Sequence, residues 1–324
     1  MTEITEWRPY RELAKRTDGP PGSSWGIFGA ADELGCLNLL TADRVRNAVR
    51  AVRSGQVIGL DFPLDYFKPP LAAVRSNTRH VITQLGPNVY DDHLDSLYLQ
   101  STSQIDGLRH RRHHAFGFYN GHLEEAIEAD SPVLGINRIA ERGIVGRGLL
   151  VDIARYLKSR GRALDHDASE AISTELVEET LTWQGSATMA GDVLIIRVGF
   201  AEFYAGLPGE GRRDFPMNMR SAGLAQSTKT LEWLWDRQCS MVASDNIGVE
   251  AIPASSDSPF DPEDGGKMHQ DFLALLGMPL GELWRLDALS DACAARGSHD
   301  FLVVAKPLAV VGGVGSPANA VAIL

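Results

Sequence analysis

The segment Leu99–His114, LQSTSQIDGLRHRRHH, concentrates side chains that can move protons and hold cations. Gln100, Thr102, Gln104 and Asp106 recur at a spacing of two. That period puts alternate side chains of an extended strand on one face. If buried, such a polar face needs partners, because each unsatisfied group costs about 1–3 kcal/mol. A metal ion, a substrate or bound water would supply them. His110 lies four residues beyond Asp106. A chain that turns near Gly107 would bring its imidazole back over the same face. The result would pair a carboxylate with the side chain that titrates near neutral pH, the elements of general acid–base catalysis. Composition alone leaves a solvent-facing edge strand equally open.

Other motifs carry less. Gly22–Gly26, GSSWG, has the form of a nucleophile elbow, which needs a buried strand before the serine and a helix after it. RTDGPP precedes it and no helix start follows, so it reads as a loop. Gly312–Pro317, GGVGSP, lacks the following helix that a phosphate cradle requires and reads as a turn before the strand-like AVAIL. The cluster RHRRHH at Arg109–His114 reads as a solvated basic surface or as a local site for a carboxylate.

These residues must be positioned by a chain of 324 residues with 44% hydrophobic and 23% charged content, enough to build a sizeable core. The formal net charge of −11 argues against a nucleic-acid partner. Cys36, Cys239 and Cys293 are scattered, which implies neither a disulfide framework nor a zinc ribbon and fits a reducing compartment. The N-terminal stretch has no apolar core of a signal peptide, and the longest apolar runs are too short to span a membrane, so a cytoplasmic protein is expected. Thr41 is a candidate N-cap for a helix that ends at Gly55 and places Val45, Ala48, Val49 and Val52 on one face. QVIGLDF, HVITQ, LLVDIA, DVLIIRV, CSMVAS and DFLVVAKPLAVV read as buried strands. Helical patterns separate several of them: TELVEETLTWQ, TKTLEWLWDRQ, HQDFLALLG and LDALSDACAARG. The alternation predicts an α/β protein. No repeat or linker interrupts it, so residues 1–324 are expected to form a single domain with 1–24 as an N-terminal extension.

With these elements in place, the chain resembles the cyclase-type metal-dependent hydrolases, the family of bacterial kynurenine formamidase and isatin hydrolase. The family signature is H-x-G-T-H-x-D-x-P-x-H. Its first two histidines fall on Gln100 and Gln104, its aspartate on Asp106, its proline on Leu108 and its last histidine on His110. WGIFGAADELGCLNLL, GIVGRGLLVDIA, AGDVLIIRVGF, ASDNIGVEAIP and HQDFLALLGMPLGELWRLDAL resemble further family blocks in order, from about Trp25 onward. The resemblance implies a mixed, curled β-sheet, barrel-like and of the swivelling β/β/α type, packed against helices. It implies one divalent metal ion, Mn, Zn or Mg, held at Gln100, Gln104 and Asp106, with His269 and Glu282 completing the shell by position. It assigns acid–base work to His110, with Asp106 beside it. An amide oxygen is a weaker, harder ligand than imidazole, so the two glutamines also leave open a weak site or no metal. Trp25, Phe116 and Tyr119 are expected to line the pocket, with Arg109 or Arg112 as a cation for a substrate carboxylate. The implied activity is hydrolysis of a small amide, lactam or lactone. A cyclase or dehydratase-type lyase acting on a polyketide-like molecule is a second reading, and a non-catalytic small-molecule-binding homologue a third. The expected partners are a small-molecule substrate and further copies of the chain, as homodimer or homotetramer, with no nucleic acid and no membrane.

Overall fold

The structure is a computed structural model and describes residues 7–128 and 130–324. In chain order its strands are β1 (Val57–Gly59), β2 (Arg79–Gly86), β3 (Val89–Asp95), β4 (Gln104–Asp106), β5 (Ile144–Asp152), β6 (Ala171–Ile172), β7 (Val193–Arg197), β8 (Gly223–Leu224), β9 (Met241–Ser244), β10 (Leu280–Glu282), β11 (Asp300–Ala305), β12 (Gly315–Pro317) and β13 (Ala320–Ile323). Nine of them form one mixed sheet in the order β1-β13-β11-β5-β7-β9-β10-β4-β12. Its centre, β5-β7-β9-β10, is parallel, and the strands flanking it, β11 and β4, are antiparallel to their neighbours.

The central strands are continuous apolar runs because helices and loops cover both faces of the sheet. The period of two deals their side chains to two cores. Leu150, Val193, Ile195, Met241 and Ala243 join Trp284 and Phe301 in one. Leu149, Val151, Leu194, Ile196 and Val242 join the other, against apolar residues of the helices Thr174–Gln184, Phe200–Gly206 and Thr228–Asp236.

The sheet is curled. β12 ends the strand order and β13 stands next to its opposite end, yet only Ala318 and Asn319 separate them in the chain. The two ends must therefore approach each other. Backbone bonds mark the approach: Arg285 N–H donates to the Leu60 carbonyl at 2.7 Å, and Ala318 N–H to the Ser103 carbonyl at 3.0 Å. The Ser103 hydroxyl accepts from Phe62 N–H at 2.8 Å. The fold is thus α/β with a curled, barrel-like mixed sheet packed against helices.

Several local expectations need correction. HVITQ lies in β2, which pairs with β3 in a hairpin apart from the main sheet. Ile82 is 64% exposed there, and every residue of β2 is exposed or only partly buried. β11 stops at Ala305, ahead of Pro307, which has no N–H for a ladder, and Leu308, Val310 and Val311 stay exposed. HQDFLALLG contains a π-helical turn, Asp271–Leu275. Thr41 does cap its helix, its hydroxyl accepting from Arg44 N–H, but the helix ends at Val49 and only Ala48 of the expected face is fully buried. The helix Thr174–Gln184 matches its sequence pattern, with Ser173 as N-cap and Gly185 in the left-handed conformation that ends it. Among the described residues no helix is long and apolar enough to cross a membrane.

Candidate metal centre and active site

The antiparallel pairing of β4 with β10 sets the site. Gln104 lies opposite Glu282, and Asp106 opposite Leu280. Gln104 and Asp106 are two apart and share a face. Past Asp106 the chain turns: His110 N–H donates to the Gly107 carbonyl at 2.9 Å. This returns the His110 imidazole to the strand, with Nε2 3.6 Å from Asp106 Oδ2 and the side chain 24% exposed. On the other side β12 presses close. A Cβ on Gly315 would stand 2.6 Å from Gln100 Nε2 and 3.2 Å from Asp106 Oδ1, so only glycine allows this approach.

His269 enters from the segment before the π-helical turn and stands between two glutamates. Its Nε2 is 2.9 Å from Glu282 Oε1, and its Nδ1 is hydrogen-bonded to Glu250 Oε1. Glu250 is itself fixed, accepting from Met268 N–H at 2.8 Å and Gln226 Nε2 at 3.0 Å. Gln104 Nε2 donates to Glu282 Oε2. The backbone that aims these acids is strained. Val249 and Leu283 adopt φ of 60° and 54°, the left-handed region that β-branched and bulky residues avoid.

The electrostatics follow from burial and crowding. Burial, with the nearby charge of Glu282, pushes the Asp106 carboxyl well above the usual carboxylate range. Burial alone would lower His269, but its hydrogen bonds to Glu250 and Glu282 and their charges raise it to about 10. Glu282 is held below its ordinary value despite its burial, through its contact with His269. Burial, with the charge of His269, lowers His110 to about 4, so its imidazole is neutral at physiological pH.

The ligand atoms of Asp106, His269 and Glu282 lie within 4.8 Å of one another, and all three residues are buried. Both Asp106 oxygens and Gln104 Oε1 are buried without a hydrogen-bond partner among the described residues, as is Gln100 Nε2. Buried oxygens in this state carry a desolvation cost that a cation would offset. The donor set, two carboxylates, one imidazole and an amide oxygen, is hard enough for Mn²⁺ or Mg²⁺ as well as Zn²⁺. Glu250 on the far nitrogen of His269 is the usual outer support of a metal-binding histidine. These residues fit a divalent ion.

Residues 64–251 match the model of the family described as "Putative cyclase". A solved structure described as a novel cyclase is 30% identical, with 93% of this chain and 99% of that chain covered and a TM-score of 0.81. This chain belongs to the cyclase family. Isatin hydrolase A from Labrenzia aggregata, bound to benzyl benzoate, is 16% identical to this cyclase-family protein over 86% of it and 97% of that chain, with a TM-score of 0.56. An isatin hydrolase bound to the product analogue thioisatinate is 17% identical over 83% of this chain and 92% of that one, with a TM-score of 0.54. At that identity the likeness is one of fold. No curated protein matches the sequence.

Not every residue singled out in the cyclase sequence comes to the site. β4 spans only Gln104–Asp106, so the alternating face is shorter than expected. Thr102 turns its hydroxyl toward the Phe62 carbonyl, whereas Gln100 reaches the cavity from the preceding turn. Arg109 donates to the backbone carbonyls of Ser131 and Glu128, which ties its guanidinium to a loop. Trp25 bonds the Ala274 carbonyl at 2.6 Å, and buried Tyr119 bonds Asp32 at 3.0 Å. Both are posts of the core and form no aromatic wall on the cavity. Phe116 is 37% exposed and packs on His113. Arg112, together with Arg109, lines an outer vestibule of about 390 Å³, which shares His110 and Arg111 with the inner cavity of about 130 Å³.

Three residues at the site carry no sequence expectation: Glu250, Arg75 and Lys267. Glu250 is the lone acid in the otherwise apolar end of ASDNIGVEAIP, a signal that could have found it. Arg75, in LAAVRSN, and Lys267 have no comparable signal.

Proposed function

We propose that this cyclase-family protein is a metal-assisted hydrolase of a small amide, lactam or lactone, with His110 as its general acid–base. The observation that carries the proposal is the buried Asp106 carboxyl group, without a partner among the described residues at either oxygen, with the neutral His110 imidazole beside it at the rim of a cavity. A divalent ion held by Asp106, His269 and Glu282, with Gln104 Oε1, would supply Lewis acidity and ease the ionisation of water. Glu250 fixes the tautomer and plane of His269. Gln104 orients Glu282 through its Nε2. His110 takes a proton from water at Nε2 and delivers it to the leaving nitrogen or oxygen. The charge of Glu282, which works against the lowering of His110, favours the imidazolium that forms between these transfers. The shared fold with isatin hydrolases, one bound to an ester and one to a product analogue, supports the choice of acyl chemistry.

The test is turnover of a panel of formyl amides, lactams and lactones in ¹⁸O-labelled water, before and after chelation. Hydrolysis places one solvent oxygen in the product, and activity is lost on chelation and restored by Mn²⁺ or Mg²⁺. A product without solvent oxygen would replace hydrolysis with cyclisation. Full activity in metal-free protein would overturn the role given to the ion.

A further inference from the structure

Charged side chains of both signs line the inner cavity. Glu282 on β10 supplies its acid, with the neutral amide of Gln104 opposite on β4, and Arg111, which also lines it, is already paired with Asp264. Arg75, from the bend ahead of β2, and Lys267, two residues before His269, line the cavity from elsewhere in the chain, both half-buried. Leu71, Met219, Ile247 and Ile252 provide its apolar lining. Arg75 feels the charges of Glu282 and Asp106, but its hydrogen bond goes to the backbone carbonyl of Gln100. A cation serving only to neutralise those acids would pair with them directly. Holding two cations partly out of water costs solvation, which an anion brought between them would offset.

We infer that the substrate is a small organic acid: its anionic group is held by Arg75 and Lys267 while its acyl carbon faces Asp106 and His110. The inference rests on the hydrolase reading and names its substrate class. Size limits the body of that acid. A cavity of about 150 Å³ takes one benzene ring, so the inner cavity of about 130 Å³ fits a single ring or a short acyl chain. Arg109, expected to meet a carboxylate, is committed to loop carbonyls and is replaced in that role.

The test is calorimetric titration of the holoenzyme with benzenesulfonate and with methyl phenyl sulfone, its neutral isostere. A sulfonate pairs with cations but is a poor metal ligand, so its preference reports the side chains rather than the ion. Wild type binds the sulfonate at least about tenfold more tightly than the sulfone, the worth of one charge-assisted hydrogen bond. Arg75→Met and Lys267→Met each remove about tenfold from sulfonate affinity and leave the sulfone unchanged. Arg75→Lys and Lys267→Arg, which keep the charge, retain most of the preference and guard against a folding defect. Equal binding of the two probes by wild type would overturn the inference, as would variants that weaken both probes alike. Failure of the hydrolase reading is separately visible: His110→Gln would keep its turnover while the sulfonate preference stands.

Discussion

Two groups of buried acids lie along one edge of the same sheet, and they are built in opposite ways. β5, β7, β9 and β10 are parallel, so Asp152, Arg197, Asp245 and Glu282 all stand at or just past carboxyl ends of strands, where open α/β sheets bind their ligands. At the first three strands every acceptor is filled. Asp152 Oδ1 takes the Arg155 N–H at 3.0 Å and Arg197 Nη1 at 3.2 Å, and Oδ2 takes the Ser290 hydroxyl. Asp245 accepts from the backbone N–H groups of Val198, Gly199 and Phe200 at 2.7, 2.8 and 3.1 Å. At β10 and β4 the acids are equally buried, but among the described residues Asp106 has no hydrogen-bond partner on either oxygen. Burial and position therefore do not separate scaffold from chemistry here. Hydrogen-bond accounting does, because a buried carboxylate with a donor on each oxygen has little left to offer a ligand.

The largest effect should come from the open group. His110→Gln keeps a polar side chain of similar reach but cannot carry a proton, and kcat should fall about 10²- to 10⁴-fold with the melting temperature little changed. Loss of stability with turnover retained would make His110 part of the scaffold and erase the contrast. The converse experiment is Asp152→Asn. It weakens the pair with Arg197, which keeps Asp287 and Glu202 as further partners, so the expected loss is about 3 kcal/mol, the low end for a broken buried ion pair. Urea denaturation reads that loss, and kcat/KM should stay within a factor of about three, since no surface charge or site contact changes.

Glu250→Gln is the intermediate case, because Glu250 is well bonded yet its partner is a site residue. The amide can still accept from His269 Nδ1 but no longer bears the charge that supports it. Metal affinity should fall about 10- to 100-fold, read by competition with a chromophoric chelator, and the denaturant midpoint should fall as well, because the new amide nitrogen meets the Met268 N–H and Gln226 donors that Glu250 accepts. An unchanged affinity would move Glu250 to the closed group.

Much of the closed architecture is legible in the sequence, because it is local. The 11-residue pattern TELVEETLTWQ gives the helix Thr174–Gln184 at once. The apolar runs of β5, β7 and β9 announce strands covered on both faces. The hairpin β2–β3 is misread for the same reason: HVITQ is locally a good strand, and nothing local says that no core will cover it. At the site, Asp106 and His110 are close in sequence, so a turn at Gly107 relates them directly. His269 and Glu282 come only from resemblance to a family. Glu250 reaches His269 through a positive φ at Val249, and Arg75 reaches the cavity from the segment ahead of the hairpin. Neither contact has a period or a motif, because it depends on how the whole sheet curls.

The smallest expected effect tests the closed group by pH. His166 is buried beside it, with Nε2–H donating to the Val198 carbonyl at 3.1 Å and Nδ1 accepting from Ala222 N–H at 3.2 Å. Both bonds exist together only in the neutral ring, since a proton on Nδ1 would face the Ala222 N–H. Burial lowers the His166 pKa, and the bond to Val198 and the charges of Asp167, Asp165 and Glu170 only partly oppose it. A folded-state value below the unfolded one means that the unfolded chain binds the extra proton first. The contribution of His166 is therefore complete above the unfolded imidazole value of about 6.5 and is lost as pH falls below it toward the folded value. Urea midpoints measured at pH 7.5 and 5.0 should differ more for wild type than for His166→Gln, whose side chain can bond both groups without titrating. If the two proteins lose stability in parallel, the ring is not held neutral, and the closed group is less completely bonded than its distances indicate.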